Sequence, residues 1–157
     1  MRMRVIAVAV ALLAPAVAQA QPLAWERVTL PDQSASIDLP RDVFPVDRGA
    51  SGAKRHTFTT ADARADVSLY SLPNQPQRTP AQFLDEEFSL PQSSAIYRRV
   101  TGNMLAVSGY RNDQIYYVRC NFARTRLQCV ALNYPGDEKR RWDAIVTRIS
   151  NSLSRGS

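Results

Sequence analysis

The chain has 157 residues, 45% of them hydrophobic and 22% charged, with a formal net charge of +6 at pH 7. That length is one domain able to bury its own core. The basic residues are nearly all arginine, with Lys54 and Lys139 the only lysines, and they are interleaved with acids, which argues against a nucleic-acid binder.

Met1-Arg2-Met3-Arg4 is a basic start, residues 5–17 are an apolar run interrupted only by Pro15, and Ala18-Gln19-Ala20 fits a small-x-small cleavage site. This pattern predicts a signal peptide over residues 1–20 and a single globular domain over 21–157. The apolar run is too short to span a bilayer, and no cysteine near the cleavage point could carry a lipid. Removing Arg2 and Arg4 leaves a charge of +4. A periplasmic or secreted protein is expected.

Trp25, Val28 and Leu30 suggest a first strand. Residues 34–39 alternate between Pro31 and Pro40 and predict a short edge strand. Val43, Phe44 and Val46 surround Pro45, and residues 49–52 read as a loop. Residues 54–60 and 65–72 read as two strands joined by the polar break 61–64, a hairpin. After the linker 73–78 a helix begins sharply: Thr79 is an N-cap, Pro80 sits at the first helical position and Gln82 completes a capping box. Phe83, Leu84 and Phe88 give its apolar stripe. The run Asp85-Glu86-Glu87 reads as a solvated face that favours the helix dipole, ahead of an acid–base pair.

Residues 95–134 predict a four-stranded antiparallel meander over 95–101, 104–110, 115–123 and 126–134. Val, Ile, Tyr, Phe and Thr recur in these strands. Gly102-Asn103 reads as a two-residue turn with positive φ, Arg111-Asn112-Asp113-Gln114 as a polar break, and Arg124-Thr125 as a third turn. These turns place Val100 opposite Leu105, Val107 opposite Val118, Leu105 opposite Cys120, Phe122 opposite Leu127 and Cys120 opposite Cys129. With alternation of period two, one face carries Ile96, Val100, Leu105, Val107, Tyr116, Val118, Cys120, Phe122, Leu127, Cys129 and Ala131, with Arg98 its one misfit. The other face collects Tyr97, Arg99, Ala106, Ser108, Tyr110, Tyr117, Arg119, Asn121, Val130, Leu132 and Tyr134. Either a helix or the N-terminal segment covers this second face, or it is a recognition surface, since Tyr and Arg dominate binding hot spots. In an oxidising compartment the facing Cys120 and Cys129 are expected to form a structural disulfide; their spacing does not fit a redox pair.

Residues 138–153 are the strongest helix, with Trp142, Ile145, Val146, Ile149 and Leu153 at amphipathic spacing. It is expected to pack Trp142 and Ile149 on one sheet face.

Catalytic patterns are weak. Ser51-Gly52-Ala53-Lys54 matches an S-x-x-K string in a loop rather than at a helix start, and Ser108-Gly109 lacks the leading glycine of a nucleophile elbow. His56, the only histidine, alternates within a predicted strand, and neither a phosphate loop nor a set of metal ligands is present in the sequence. No cofactor, metal or catalytic residue is expected.

The order of elements is early strands, a hairpin, a short helix, a meander and a long C-terminal helix, and it resembles the α+β sandwich shared by PsbP, the oxygen-evolving accessory protein, and Mog1, the Ran-binding protein. Residues 116–122 (Tyr-Tyr-Val-Arg-Cys-Asn-Phe) and 142–150 (Trp-Asp-Ala-Ile-Val-Thr-Arg-Ile-Ser) also look like segments of uncharacterised exported proteobacterial proteins. The PsbP/Mog1 resemblance implies a non-enzymatic accessory or binding module, although a fold alone does not fix function. The expectation is an exported, non-catalytic envelope module that binds a protein partner through Tyr97, Arg99, Tyr117 and Arg119. The alternative is an exported enzyme or small-ligand binder with a pocket near His56 and Ser108. A purely structural periplasmic domain is the third reading.

Overall fold

A computed structural model of the protein describes residues 22–52, 54–75, 77–88 and 95–154; the predicted signal peptide and the side chain of Ile96 lie outside them. Strands β1 (Trp25–Thr29) and β2 (Ser36–Pro40) form a hairpin of their own, with Trp25 opposite Pro40 and Thr29 opposite Ser36. Its turn is held by Leu30 N–H donating to the Ala35 carbonyl at 2.9 Å, with Gln33 at a φ of 55°. Next come β3 (Val46–Ala50), β4 (Arg55–Thr59) and β5 (Asp66–Pro73), then helix α1 (Pro80–Glu87). The meander follows as β6 (Ala95–Val100), β7 (Met104–Arg111), β8 (Gln114–Phe122) and β9 (Arg126–Pro135). A 3₁₀ turn, Gly136–Glu138, leads into helix α2 (Lys139–Ser152).

Strands β3 to β9 make one antiparallel sheet in the order β3-β4-β5-β9-β8-β7-β6. The expected registers are present: Val100–Leu105, Val107–Val118, Leu105–Cys120, Phe122–Leu127 and Cys120–Cys129 are all direct pairs. The last pair is a disulfide with a Cα–Cα distance of 4.1 Å, the close approach of directly facing residues in a non-hydrogen-bonded position. The meander joins the earlier strands through β5 and β9, paired from Asp66–Asn133 to Pro73–Arg126.

Two local expectations are corrected. Of the expected loop 49–52, residues 49 and 50 belong instead to the edge strand β3, which begins at Val46. It is polar and mostly exposed because an edge pairs on one side only, and its register slips between Asp47 and Ala50, where Gly49 takes a φ of 80°. In the β6–β7 turn neither Gly102 nor Asn103 has positive φ. Thr101 closes that turn instead, its N–H donating to the Met104 carbonyl at 2.8 Å and its hydroxyl to Asn103 Oδ1 at 3.2 Å. The β7–β8 turn is the one that uses the left-handed region, at Asn112 with a φ of 54°.

Each face of the sheet carries one helix. On the disulfide face Phe83 and Leu84 of α1 bury against Leu105, Val107, Tyr116, Val118, Leu127 and the two cysteines. The capping box forms as expected: Thr79 N–H donates to Gln82 Oε1 at 2.9 Å and Gln82 N–H to Thr79 Oγ1 at 3.2 Å. The acidic run of α1 is spent on ion pairs. Arg78 Nη1 lies 3.0 Å from Glu86 and 3.2 Å from Glu87, and Arg98 Nη2 lies 3.4 Å from Asp85. Arg98 thus points to the apolar side because α1 supplies its counter-charge there.

On the opposite face α2, the β1–β2 hairpin and the segment after it bury Trp142, Ile145, Ile149, Ile37, Leu39 and Phe44 against Phe58, Val67, Leu69, Val130 and Leu132. Trp142 stacks on Tyr134 with centroids 5.6 Å apart. Each such fully buried aliphatic side chain stabilises the fold by about 1.5–3 kcal/mol before entropy costs. The hairpin is clasped to the end of α2: Ser36 and Ser154 form a bridge, Asp38 N–H donates to Ser152 Oγ at 2.7 Å, and Arg27 donates to the Ser152 carbonyl at 2.8 Å.

Candidate functional site

The four predicted binding residues come together around one strand. Arg99 on β6 and Arg119 on β8 both register with Ala106 of β7, and Tyr97 and Tyr117 both register with Ser108. Residues two apart on β7 share a face, so the four side chains flank a floor of Ala106 and Ser108. Across each row the two outer Cα atoms are roughly 10 Å apart, two strand spacings. Both floor residues are buried.

The two sides of this strip differ. On the β8 side the end of α2 comes down onto the sheet. The Tyr117 hydroxyl is 2.6 Å from Ser150 Oγ, and Arg119 Nη1 donates to Ser150 Oγ at 3.3 Å and to Asn151 Oδ1 at 3.1 Å. Asn121 Nδ2 donates to the Leu153 carbonyl at 3.1 Å. Burial pushes the Tyr117 phenol up, opposed by its bond to Ser150 and the Arg119 charge. Tyr117 and Arg119 therefore seat the helix as well as lining the strip. On the β6 side nothing comparable lies over the strip: Tyr97 is 44% exposed, Tyr110 52%, and Arg99 is exposed with no hydrogen bond or ion pair among the described residues. The face is thus covered over β5, β9 and β8 and open over β7 and the edge strand β6.

At the Arg end the strip deepens into a cleft of about 550 Å³ lined by Arg99, Thr101, Asn103, Met104, Arg119, Asn121 and Phe122. This lining carries two guanidinium groups and no acid. Arg119 Nε is buried without a hydrogen-bond partner, a cost of about 1–3 kcal/mol for a desolvated donor. Thr101, Asn103 and Asn121 were missed as site residues by sequence reasoning, although the register of β8 already put Asn121 on this face.

His56 and Ser108 do not share a site. They lie on β4 and β7, four places apart in the sheet, roughly 19 Å at the usual strand spacing. His56 Nε2 is 2.6 Å from Asp47 Oδ1 and its ring stacks on Phe58 with centroids 4.4 Å apart. The His56 hydrogen bond holds the Asp47 carboxyl below the usual carboxylate range. Ser108 is floor between Tyr97 and Tyr117.

Other polar clusters are structural in form. At the start of α2, Glu138 lies 2.7 Å from Arg64 and 3.1 Å from Arg141, at the rim of a cavity of about 420 Å³ that Trp142 also lines. On the disulfide face Asp66 accepts from Asn133 Nδ2 at 3.1 Å on both oxygens, and burial raises its carboxyl above the usual range against that hydrogen bond. Among the described residues no group of three or more His, Cys, Asp or Glu side chains is placed to hold a metal ion. No described helix is long and apolar enough to cross a membrane.

No protein-family model matches the chain, and no curated protein matches it. Among solved structures it is similar to the solution structure of cyanobacterial PsbP (CyanoP) from Synechocystis sp. PCC 6803, with a TM-score of 0.60 and 10% identity over 90% of this chain and 98% of that one. The chain has a PsbP-like α+β fold, and at this identity the likeness extends to the fold alone.

Proposed function

We propose that this protein is an exported, non-catalytic accessory module of the cell envelope that docks a protein partner on the open half of its Tyr/Arg face. The observation that carries the reading is the asymmetry of that face. The same strip of Tyr, Arg and small residues is sealed by α2 on one side and left open on the other, with Tyr97, Tyr110 and Arg99 exposed. Exposed Tyr and Arg beside a small-residue floor match the composition of binding hot spots. Tyr97 and Arg99 supply the direct contacts, and Tyr117 and Arg119 form the wall that α2 holds in place. Export is supported by the basic-apolar-small pattern of residues 1–20 and by a disulfide between the two cysteines of the chain.

A photo-crosslinking residue placed at Tyr97 in cells tests the reading, with the same residue at Arg48 on the opposite sheet edge as control. A discrete adduct from position 97 that is absent from position 48 and weakened by Arg99→Glu is expected. Equal adducts from both positions, or none from 97, would refute it.

A further inference from the structure

We infer that the cleft at the Arg end of the strip takes the carboxylate of an acidic, extended peptide segment, with an aromatic or apolar side chain of the same peptide two residues away lying between Tyr97 and Tyr117. The inference rests on the docking reading above and names the chemistry of the partner.

Charge is the first ground. The cleft holds Arg99 and Arg119 with no acid in its lining, and among the described residues neither forms an ion pair. Arg98, one residue earlier on the same edge strand, is paired with Asp85 on the other face. Two guanidinium groups without a counter-charge flank one methyl floor at Ala106 and make a receptor for a planar anion: Arg99 has its whole fork to offer as parallel N–H donors, and Arg119, whose Nη1 is engaged by α2, adds its charge.

Preorganisation is the second. Arg119 is held by α2 through Nη1 while its buried Nε lacks an acceptor. Asn103 accepts from Thr101 through Oδ1, which leaves its Nδ2 as a further donor beside the cleft. Arg119 and Asn103 stand in place before any ligand arrives, which lowers the ordering cost of binding.

Spacing decides for a peptide over a lone phosphate. The Arg row crosses β7 at Ala106 and the Tyr row at Ser108, two residues on, a step of roughly 7 Å along the strand. An extended peptide repeats its same-side side chains at that interval, so an acid and an apolar residue at i and i+2 reach both rows together. The strip also borders β6, the last strand of the sheet, where a partner chain can approach from the side.

The test is a titration of the isotope-labelled full-length mature protein, followed by NMR at the Ala106 and Ser108 amides. The probes are the blocked peptides Ala-Glu-Ala-Tyr-Ala and Ala-Tyr-Ala-Glu-Ala, their Gln-for-Glu twins, and inorganic phosphate. Saturable shifts from at least one Glu peptide are expected, about tenfold weaker for its Gln twin, a difference near 1.4 kcal/mol. They should be lost in Arg99→Gln, which sits on the exposed edge and leaves the α2 contacts intact. Equal binding of Glu and Gln peptides, no binding of either order, or tighter saturation by phosphate would each overturn the inference. A discrete position-97 crosslink together with any of those results would overturn the carboxylate chemistry while leaving the docking reading in place. Glu-dependent binding without the crosslink would do the reverse.

Discussion

Replacing Tyr117 by Phe removes one oxygen and keeps the ring that packs on the α2 side of the sheet. The lost bond is the 2.6 Å contact with Ser150 Oγ. Ser150 is buried but is not orphaned by the change, because Arg119 Nη1 still lies 3.3 Å away. The cost is therefore that of one neutral hydrogen bond, about 1 kcal/mol, rather than the larger penalty of an unpaired buried group. Arg119→Ala removes both bonds to α2 and the packing of the side-chain stem, and should cost about 1.5–2.5 kcal/mol. The double variant should cost more than the sum, because only it strips the buried Ser150 hydroxyl of both partners. Arg99→Ala, by contrast, should stay within about 0.5 kcal/mol of the wild type, as exposed unpaired residues do. Urea denaturation with an unchanged m-value reads these differences, and a Tyr117→Phe/Ser150→Ala cycle should give a coupling of about 0.5–1.5 kcal/mol. A Tyr117→Phe variant as stable as the wild type, or a coupling of zero, would refute the assignment of this residue to helix seating. Docking assays on the strip are for that reason best read from position 97 and Arg99.

The Cys120→Ala/Cys129→Ala variant closes no loop in its unfolded state; with a sequence separation of 9, chain entropy puts the loss at about 2.5–3 kcal/mol, to be read from the denaturation midpoint. Asp66 carries a carboxyl raised by burial, so between its ordinary and its folded value the native state binds the extra proton and stability falls as pH rises through that window. Asp66→Asn should flatten that slope and be the more stable protein at neutral pH, a difference that thermal melts across the acidic range will show. At Gly136 a Cβ would stand 3.0 Å from Tyr110 Cε1 and 3.1 Å from the Asp113 carbonyl, so Gly136→Ala should cost about 1–3 kcal/mol by overpacking. Thr79→Ala breaks the capping box and should cost about 1 kcal/mol, with faster amide exchange confined to α1.

The meander was legible because three turns and two facing cysteines fix a register, and a register fixes two faces. Both helices were legible for equally local reasons: the Thr79-Pro80-Gln82 start of α1 and the apolar period from Trp142 to Leu153 in α2. The β5–β9 pairing that joins the two halves of the sheet was not legible, since it links residues such as Leu69 and Val130 far apart in sequence and no turn reports on it. Edge strand β3 was hidden by its glycine and its charges, which an edge tolerates. The site was half legible. Alternation placed Tyr97, Arg99, Tyr117 and Arg119 on one face, but which of them lies under α2 depends on where the helix crosses the sheet. Arg98 looked misplaced only because its partner, Asp85, sits in a different element.

The clasp between Ser36 and Ser154 has a consequence for the order in which this molecule can be completed. The hairpin of β1 with β2 pairs with no strand of the large sheet; its side chains pack on that sheet, and its backbone is fastened by the last residues of α2 and just beyond. A polypeptide emerging amino end first can assemble the meander and its cystine while its earliest strands still wait for their fastening. Residues 150–154 add the backbone clasp to a hairpin that otherwise holds by its buried side chains and the Asp32–Arg126 pair, so a chain cut short before them would leave that hairpin loosely fastened.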